Sequence, residues 1–353
     1  MSSNDQFIGQ TLGGCLILDF VGQGGMGVIY KARQKSLDRI VAIKILSHKL
    51  SDDATFIERF QREARAIARV NHPNVLAVYD VGDENGIYYM IMEFIDGGNL
   101  AEQQERVGVI DYLDACDYIA QAARGLGAAQ ASGIIHRDIK PDNLMLTTRG
   151  VLKVSDFGLA RETNSSNTET QAVMGTPAFM SPEQCDGKIV DGRTDIYSLG
   201  GTFHKLITGR LPFEAETAMS MMYRHKHEAL IPPHEIIPTI PKGLSDIIVR
   251  MMQKRREDRY QSMQEVIDSI EDVLSTMDGS EPEVDMNKTV VFEEASNDDS
   301  GPVDDGSVTV APRNRRTRSI SQKIRRQRAS GRFNEPSSGV SPIESSPDRK
   351  SVV

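Results

Sequence analysis

The hydrophobic rhythm of this chain changes twice along its length. Three apolar, β-branched stretches, residues 15–21, 28–33 and 39–46, are broken by glycines and polar turns and predict strands. Phe56, Phe60, Ala64 and Ile67 then recur at helical spacing behind Asp52 and Asp53, which can cap a helix. Residues 75–81 and 87–94 predict two further strands around the turn Asp83-Glu84-Asn85-Gly86. Five strands and one helix would make a small β-rich lobe. After Asp96-Gly97-Gly98 the period lengthens. Residues 112–131, 195–206 and 244–253 carry apolar positions at three- and four-residue steps and predict a larger, mainly helical lobe. Two lobes joined near residues 93–98 leave a cleft, a favoured place for a ligand.

The second change comes near residue 275. Residues 281–305 are acidic with few large apolar side chains, residues 313–332 are strongly basic, and residues 337–347 are rich in serine and proline. Low hydrophobicity combined with blocks of like charge predicts a disordered C-terminal tail. The whole chain has 353 residues and a formal net charge of −9, which gives it no general affinity for nucleic acid or anionic lipid. Cys15, Cys116 and Cys185 are scattered, with neither zinc-site spacing nor a disulfide framework, which suits a reducing cytoplasm. The N-terminus is polar, and no apolar run reaches the ~20 residues a membrane helix needs. The expected localisation is therefore cytoplasmic, with any input signal arriving inside the cell.

Candidate chemistry is concentrated in His136-Arg137-Asp138-Ile139-Lys140-Pro141-Asp142-Asn143. Phosphoryl transfer needs a group to orient the incoming hydroxyl, a cation for developing charge and an oxygen ligand for magnesium. Asp138, Lys140 and Asn143 can fill those roles in that order. Upstream, Gly22-Gln23-Gly24-Gly25-Met26-Gly27 lies between two predicted strands. That placement suits a flap over phosphates rather than the strand-to-helix turn of a dinucleotide fold. Lys44 sits among apolar neighbours in a predicted strand, where a charge is costly unless paired. Downstream come Asp156-Phe157-Gly158 after a short apolar run, Gly175-Thr176-Pro177, and Ser181-Pro182-Glu183.

In that order these motifs resemble those of the eukaryotic-type protein Ser/Thr kinases, and their wording is most similar to the bacterial branch. The resemblance covers residues 12–274 and implies an α+β, bilobal fold. It divides into an N-lobe at 12–95 and a C-lobe at 96–274, between an N-terminal extension at 1–11 and the tail at 275–353. It implies ATP as cofactor with Mg²⁺, Mn²⁺ being an alternative, and protein substrates. Asp138, Lys140 and Thr176 are the implied catalytic residues, and Asn143 and Asp156 the implied metal ligands. The implied ATP site comprises Val21, Gly22, Gln23, Gly24, Gly25, Met26, Gly27 and Val28 in the loop. Ala42 and Met145 would be its roof and floor, Met92 its back, and backbone groups of Glu93 and Ile95 its adenine edge. Lys44 would contact the phosphates and pair with Glu63. Glu183 with Arg259 would prop the larger lobe, and Asp195 would brace the catalytic loop.

Arg137 beside Asp138 suggests control by phosphorylation, because a guanidinium fork binds phosphate well. Thr163, Ser165, Ser166, Thr168 and Thr170 are the candidate self-phosphorylation sites, Thr168 and Thr170 foremost. In the tail, Thr289 is a candidate for a phosphothreonine-binding partner, and Ser319 and Ser330 follow arginines. Residues 313–332 leave open contact with nucleic acid or anionic lipid, partner docking, or a solvated linker. Dimerisation is open as well. The motifs stand against two other classes: a non-catalytic docking scaffold, and a small-molecule phosphotransferase, which lacks the paired Ser-Pro-Glu motif and the long activation loop.

Overall fold

The structure is a computed structural model that describes residues 6–24, 27–47, 53–157 and 177–277. Its N-terminal lobe is an antiparallel sheet of six strands: β1 Thr11–Leu12, β2 Cys15–Gly24, β3 Gly27–Gln34, β4 Arg39–Leu46, β5 Val78–Glu84 and β6 Ile87–Glu93, in the order β1-β2-β3-β4-β6-β5. Alternation splits the side chains between two cores. Tyr30, Ala32, Val41 and Ile43 pack on one face, and Ala42, Met90 and Met92 pack on the other with Phe60 and Ala64 of helix α1, Ala54–Ile67. Asp53 caps α1, accepting from the amides of Thr55 at 2.9 Å and Phe56 at 3.2 Å.

Three expectations are corrected here. The lobe has a sixth strand, β1, too short to leave a period in the sequence. The strand placed at 75–81 runs Val78–Glu84. Its expected start belongs elsewhere: the Leu76 amide donates to Val154 O at 2.9 Å and Val75 bridges the same residue, which ties residues 75 and 76 to the other lobe. The turn is also tighter than expected. Asn85 and Gly86 alone form it, at φ +53° and +78°, as a two-residue hairpin whose twist matches that of its strands.

The second lobe contains helices α2 Leu100–Val107, α3 Tyr112–Ala131, α4 Pro182–Cys185, α5 Arg193–Thr208, α6 Ala218–His227, α7 Pro233–Ile236, α8 Lys242–Met251 and α9 Met263–Met277, and a hairpin of β7 Leu144–Leu146 with β8 Leu152–Val154. Helix α5 is central: 14 of its 16 residues are buried. Its hydroxyls are satisfied locally, Ser198 donating to Phe179 O at 2.7 Å and Thr202 to Ser198 O at 3.0 Å. Helix α9 continues to Met277, past the boundary set by composition at 275. All three cysteines are free. Among the described residues no helix is long and apolar enough to cross a membrane.

Candidate active site

The stretch from His136 to Asn143 has little regular structure of its own and is held from outside. Asp195, in the first turn of α5 and buried, accepts from the backbone amides of His136 at 3.0 Å and Arg137 at 2.8 Å. Gln184 of α4 donates to Arg137 O at 2.7 Å. These bonds hold Arg137 at φ +67°, a left-handed conformation that a side chain normally avoids. Burial raises the Asp195 carboxyl above its ordinary value, and the hydrogen bonds from the loop's amides partly offset that. The His136 ring accepts from the Asp138 amide at Nδ1, 3.2 Å away, and meets Ser155 O at Nε2, 2.7 Å away. That pattern assigns the neutral tautomer with its proton on Nε2. Phe157 packs on the ring with centroids 4.6 Å apart.

Within this frame the polar groups converge. Lys140 Nζ is 3.2 Å from Asp138 Oδ2. The Asn143 side-chain amide donates to Asp138 O at 2.7 Å and, more weakly, to Asp138 Oδ2 at 3.3 Å. With its nitrogen engaged, Asn143 offers its Oδ1 to the cleft. Asp156 follows β8 at φ +56°, the other strained residue here, and its Oδ1 lies 2.6 Å from Lys44 Nζ. Burial alone would raise the Asp156 carboxyl, but the Lys44 ammonium prevails and holds it below the usual carboxylate range. A carboxylate and an amide oxygen beside open space form a hard donor set that fits a divalent cation retaining several waters.

A cavity of about 430 Å³ lies between the lobes and brings these groups together. Val21, Gly22, Gln23, Gly24 and Gly27 line it from the loop, with Ala42, Lys44, Met92, Glu93, Ile95 and Met145 around them and Asp138, Lys140, Asn143 and Asp156 below. Two expected residues lie elsewhere. Val28 packs against the outer core of the sheet, and its neighbour Ile29 lines the cavity, because successive residues of β3 face opposite sides. Glu63 lines a smaller pocket behind the cleft, with Ile67 and Phe157. Lys44 takes Asp156 rather than Glu63 as its ion-pair partner. Asp156 reaches Lys44 from the end of the β7–β8 hairpin in the other lobe, whereas Glu63, on α1 of the same lobe as Lys44, lines the smaller pocket instead.

The strand-to-helix connection at the back of the cleft is also held. Glu93 pairs with Lys153 Nζ at 2.8 Å, linking β6 to β8. Asp96 accepts from the Thr148 amide at 3.0 Å and hydroxyl at 2.9 Å. A Cβ on Gly97 would overlap the Leu146 carbonyl, so only glycine fits there. Further down, Arg259 is wholly buried and grips Glu183 with two 2.8 Å contacts. Burial pushes Glu183 up, but the guanidinium brings its carboxyl below the ordinary value.

Ile29, Lys153 and Gln184 were missed in the sequence. Strict alternation from Gly27 contained the signal for Ile29; nothing local marks the other two, whose partners are distant in sequence. Gly25, Met26, Thr176, the five candidate phosphosites from Thr163 to Thr170, and the tail with Thr289, Ser319 and Ser330 lie outside the described residues.

The fold and the cleft define a bilobal nucleotide-binding domain. Residues 16–269 match the protein kinase domain family, and the chain belongs to that family. It is 40% identical over 254 residues to a protein named "Probable serine/threonine-protein kinase" from Clostridium acetobutylicum, covering 72% of this chain and 39% of that one. It is 36% identical over 296 residues to serine/threonine-protein kinase PknB of Mycobacterium tuberculosis, covering 80% of this chain and 47% of that one. It thus spans less than half the length of these curated relatives. The crystal structure of the M. tuberculosis PknI kinase domain superposes with a TM-score of 0.61 at 27% identity, covering 75% of this chain and 98% of that one.

Proposed function

We propose that this chain is a protein serine/threonine kinase that moves the γ-phosphoryl group of ATP to hydroxyls of protein substrates. The observation that carries this reading is the convergence of Lys44, Asp138, Lys140, Asn143 and Asp156 on one cavity. Asn143 and Asp156 are suited to hold Mg²⁺, with Mn²⁺ as a substitute, and the bound ion would neutralise charge on the phosphates. Lys44 is the cation for the nucleotide's phosphates. Asp138 aligns the substrate hydroxyl and takes its proton late, in a loose transition state. Lys140, beside Asp138, meets charge developing on the transferred group. Thr176 belongs to the same catalytic set by its motif.

The kinase domain spans residues 12–274, and the site of action is the cytoplasm. Arg137 makes self-phosphorylation between Thr163 and Thr170 the natural control, and Thr289 offers a mark to a phosphothreonine-binding partner. The test is incubation of the purified chain with MgATP, with phosphosites mapped by mass spectrometry. Transfer to serine or threonine, absent in Asp138→Asn, is the expected result. Failure of the wild-type chain to bind MgATP or to modify any hydroxyl would end the proposal.

A further inference from the structure

The peptide group between Arg137 and Asp138 is tied at both ends. Its N–H, on Asp138, donates to His136 Nδ1 at 3.2 Å, and its carbonyl, on Arg137, accepts from Gln184 Nε2 at 2.7 Å. A peptide group is planar and turns as a unit, so a bond at its oxygen fixes the direction in which the next Cα–Cβ bond leaves the chain. That next residue is the hydroxyl-aligning Asp138. The peptide group after it is held in the same way, Asp138 O accepting from the Asn143 side-chain amide at 2.7 Å. Lys140 Nζ, 3.2 Å from the Asp138 carboxylate, then chooses among side-chain rotamers whose origin the main chain has already set.

The Gln184 amide has no freedom to turn over. The Ser181 N–H, which only donates, lies 3.0 Å from Oε1, and Arg137 O, which only accepts, lies 2.7 Å from Nε2. The contact with Ser181 is half of a capping box, whose other half is the Gln184 N–H donating to Ser181 Oγ at 3.4 Å. A capping box needs only the side-chain oxygen. The Nε2 end is therefore surplus to the helix, yet it makes the shorter bond. Its platform is firm: Glu183, next in the chain, is gripped by Arg259 and accepts from the Thr194 hydroxyl at 2.7 Å. Thr194 precedes Asp195, which holds the Arg137 N–H at 2.8 Å. The strained Arg137 is thus held at its N–H from α5 and at its C=O from α4, and the Glu183–Thr194 bond ties those two helices together.

We infer that Gln184 is a positioning residue for phosphoryl transfer, acting through the Arg137 carbonyl to aim the Asp138 carboxylate at the substrate hydroxyl. This rests on the kinase reading above and adds to it a residue that is not among those lining the cavity. The two ends of one side chain have separate duties. Oε1 serves the start of α4, and Nε2 serves the catalytic loop. Substitution can therefore remove either duty and keep the other.

The test uses the full chain with MgATP, follows phosphate transfer to the chain itself and to dephosphorylated casein, and compares Gln184→Glu with Gln184→Lys. Glutamate keeps the capping box and adds a favourable charge to the first turn of α4, but it sets an oxygen against Arg137 O. Lysine loses the acceptor for Ser181 and keeps a donor for Arg137 O. A carbonyl left unpaired, with the displacement it allows at Asp138, costs roughly ten- to a hundredfold in turnover. Gln184→Glu should lose kcat by that factor, with its KM for ATP and its urea midpoint close to those of the wild type. Gln184→Lys should unfold at lower urea concentration and yet turn over faster than Gln184→Glu. A purely structural role for Gln184 gives the opposite order, because glutamate is then the benign change. Wild-type turnover in Gln184→Glu, or kcat in the two variants following their urea midpoints, overturns the inference and leaves the kinase reading standing. If Gln184→Glu does not fold, Gln184→Lys with less than a hundredth of wild-type kcat overturns it as well. No transfer by the wild-type chain to itself or to casein overturns both.

Discussion

Lys44 and Asp156, 112 residues apart in sequence, meet as an ion pair at 2.6 Å in the floor of the cleft. The lysine side chain is 8% exposed, so its charge is matched almost entirely by protein. Replacing it with methionine removes the cation that holds Asp156 ionised and the one that faces the phosphates. Losing a preorganised charge of this kind typically costs about 10²–10³ in turnover. Lys44→Met should fall by that factor in kcat/KM for ATP while its circular dichroism stays that of the wild type. A variant retaining more than about a tenth of the activity would remove Lys44 from the site.

Asp195 holds two consecutive amides of the catalytic loop, one of them on the strained Arg137. Asparagine has the same shape but can present only one oxygen, so one amide would face an N–H group instead. An unsatisfied buried donor costs about 1–3 kcal/mol. Asp195→Asn should therefore unfold at lower urea concentration and lose turnover through misplacement of Asp138, with ATP binding by calorimetry much less affected. Equal losses in binding and turnover would argue for general unfolding.

Arg259 and Glu183 form a bidentate pair closed off from solvent, and Arg259 also donates to Gln253 O at 2.7 Å and Lys254 O at 3.0 Å. Removing one member of such a pair leaves a buried charge and typically costs about 3–5 kcal/mol. Arg259→Met should show this in urea unfolding. The double variant Arg259→Met with Glu183→Gln should lose less than the sum of the two single changes, because the stranded carboxylate is gone. Additive losses would show that the pair is not coupled.

Two buried histidines should set the acid limit of stability. His204 and His225 are each depressed from 6.5 to about 4 by burial; backbone hydrogen bonds partly oppose this in both, and nearby Lys254 adds to it for His225. His225 also meets the Tyr197 hydroxyl at 2.9 Å and packs edge-on against Phe213. The unfolded chain takes up their protons before the folded one does. Their contribution is therefore fully present above pH 6.5 and is lost as pH falls toward 4, at about 3 kcal/mol for each ring. Glu183, depressed below its ordinary value, begins to lose its contribution as pH falls past 4.5, at the acid end of the same window. Urea midpoints measured from pH 7 to 4 should fall through this window, and His225→Phe should flatten the slope. A flat profile in the wild type would contradict the burial of these rings.

Much of the fold was legible because it is written in local periods. Residues 39–46 and 112–131 were bounded as they are found, since a run of β-branched residues and a long apolar stripe each specify their element almost without context. Helices such as α2 and α6 left weaker marks: their solvent faces are polar, and few of their residues are buried. The strand at 75–81 was misplaced because Leu76 bonds to β8, a partner no local window contains.

The amino-acid sequence alone determined which chemistry this protein can perform. Asp138, Lys140 and Asn143 lie within one short loop, so covalent spacing itself brings hydroxyl-aligning, cationic and metal-binding groups together. Choices between distant partners were left to the tertiary structure. Lys44 could have met Glu63 or Asp156, and Val28 or Ile29 could have faced the nucleotide side. The first choice depends on which carboxylate the packed lobes bring nearest. The second depends on how the pleat of β3 is set by its neighbours. Both follow from the free energy of the assembled fold, which no stretch of sequence carries by itself.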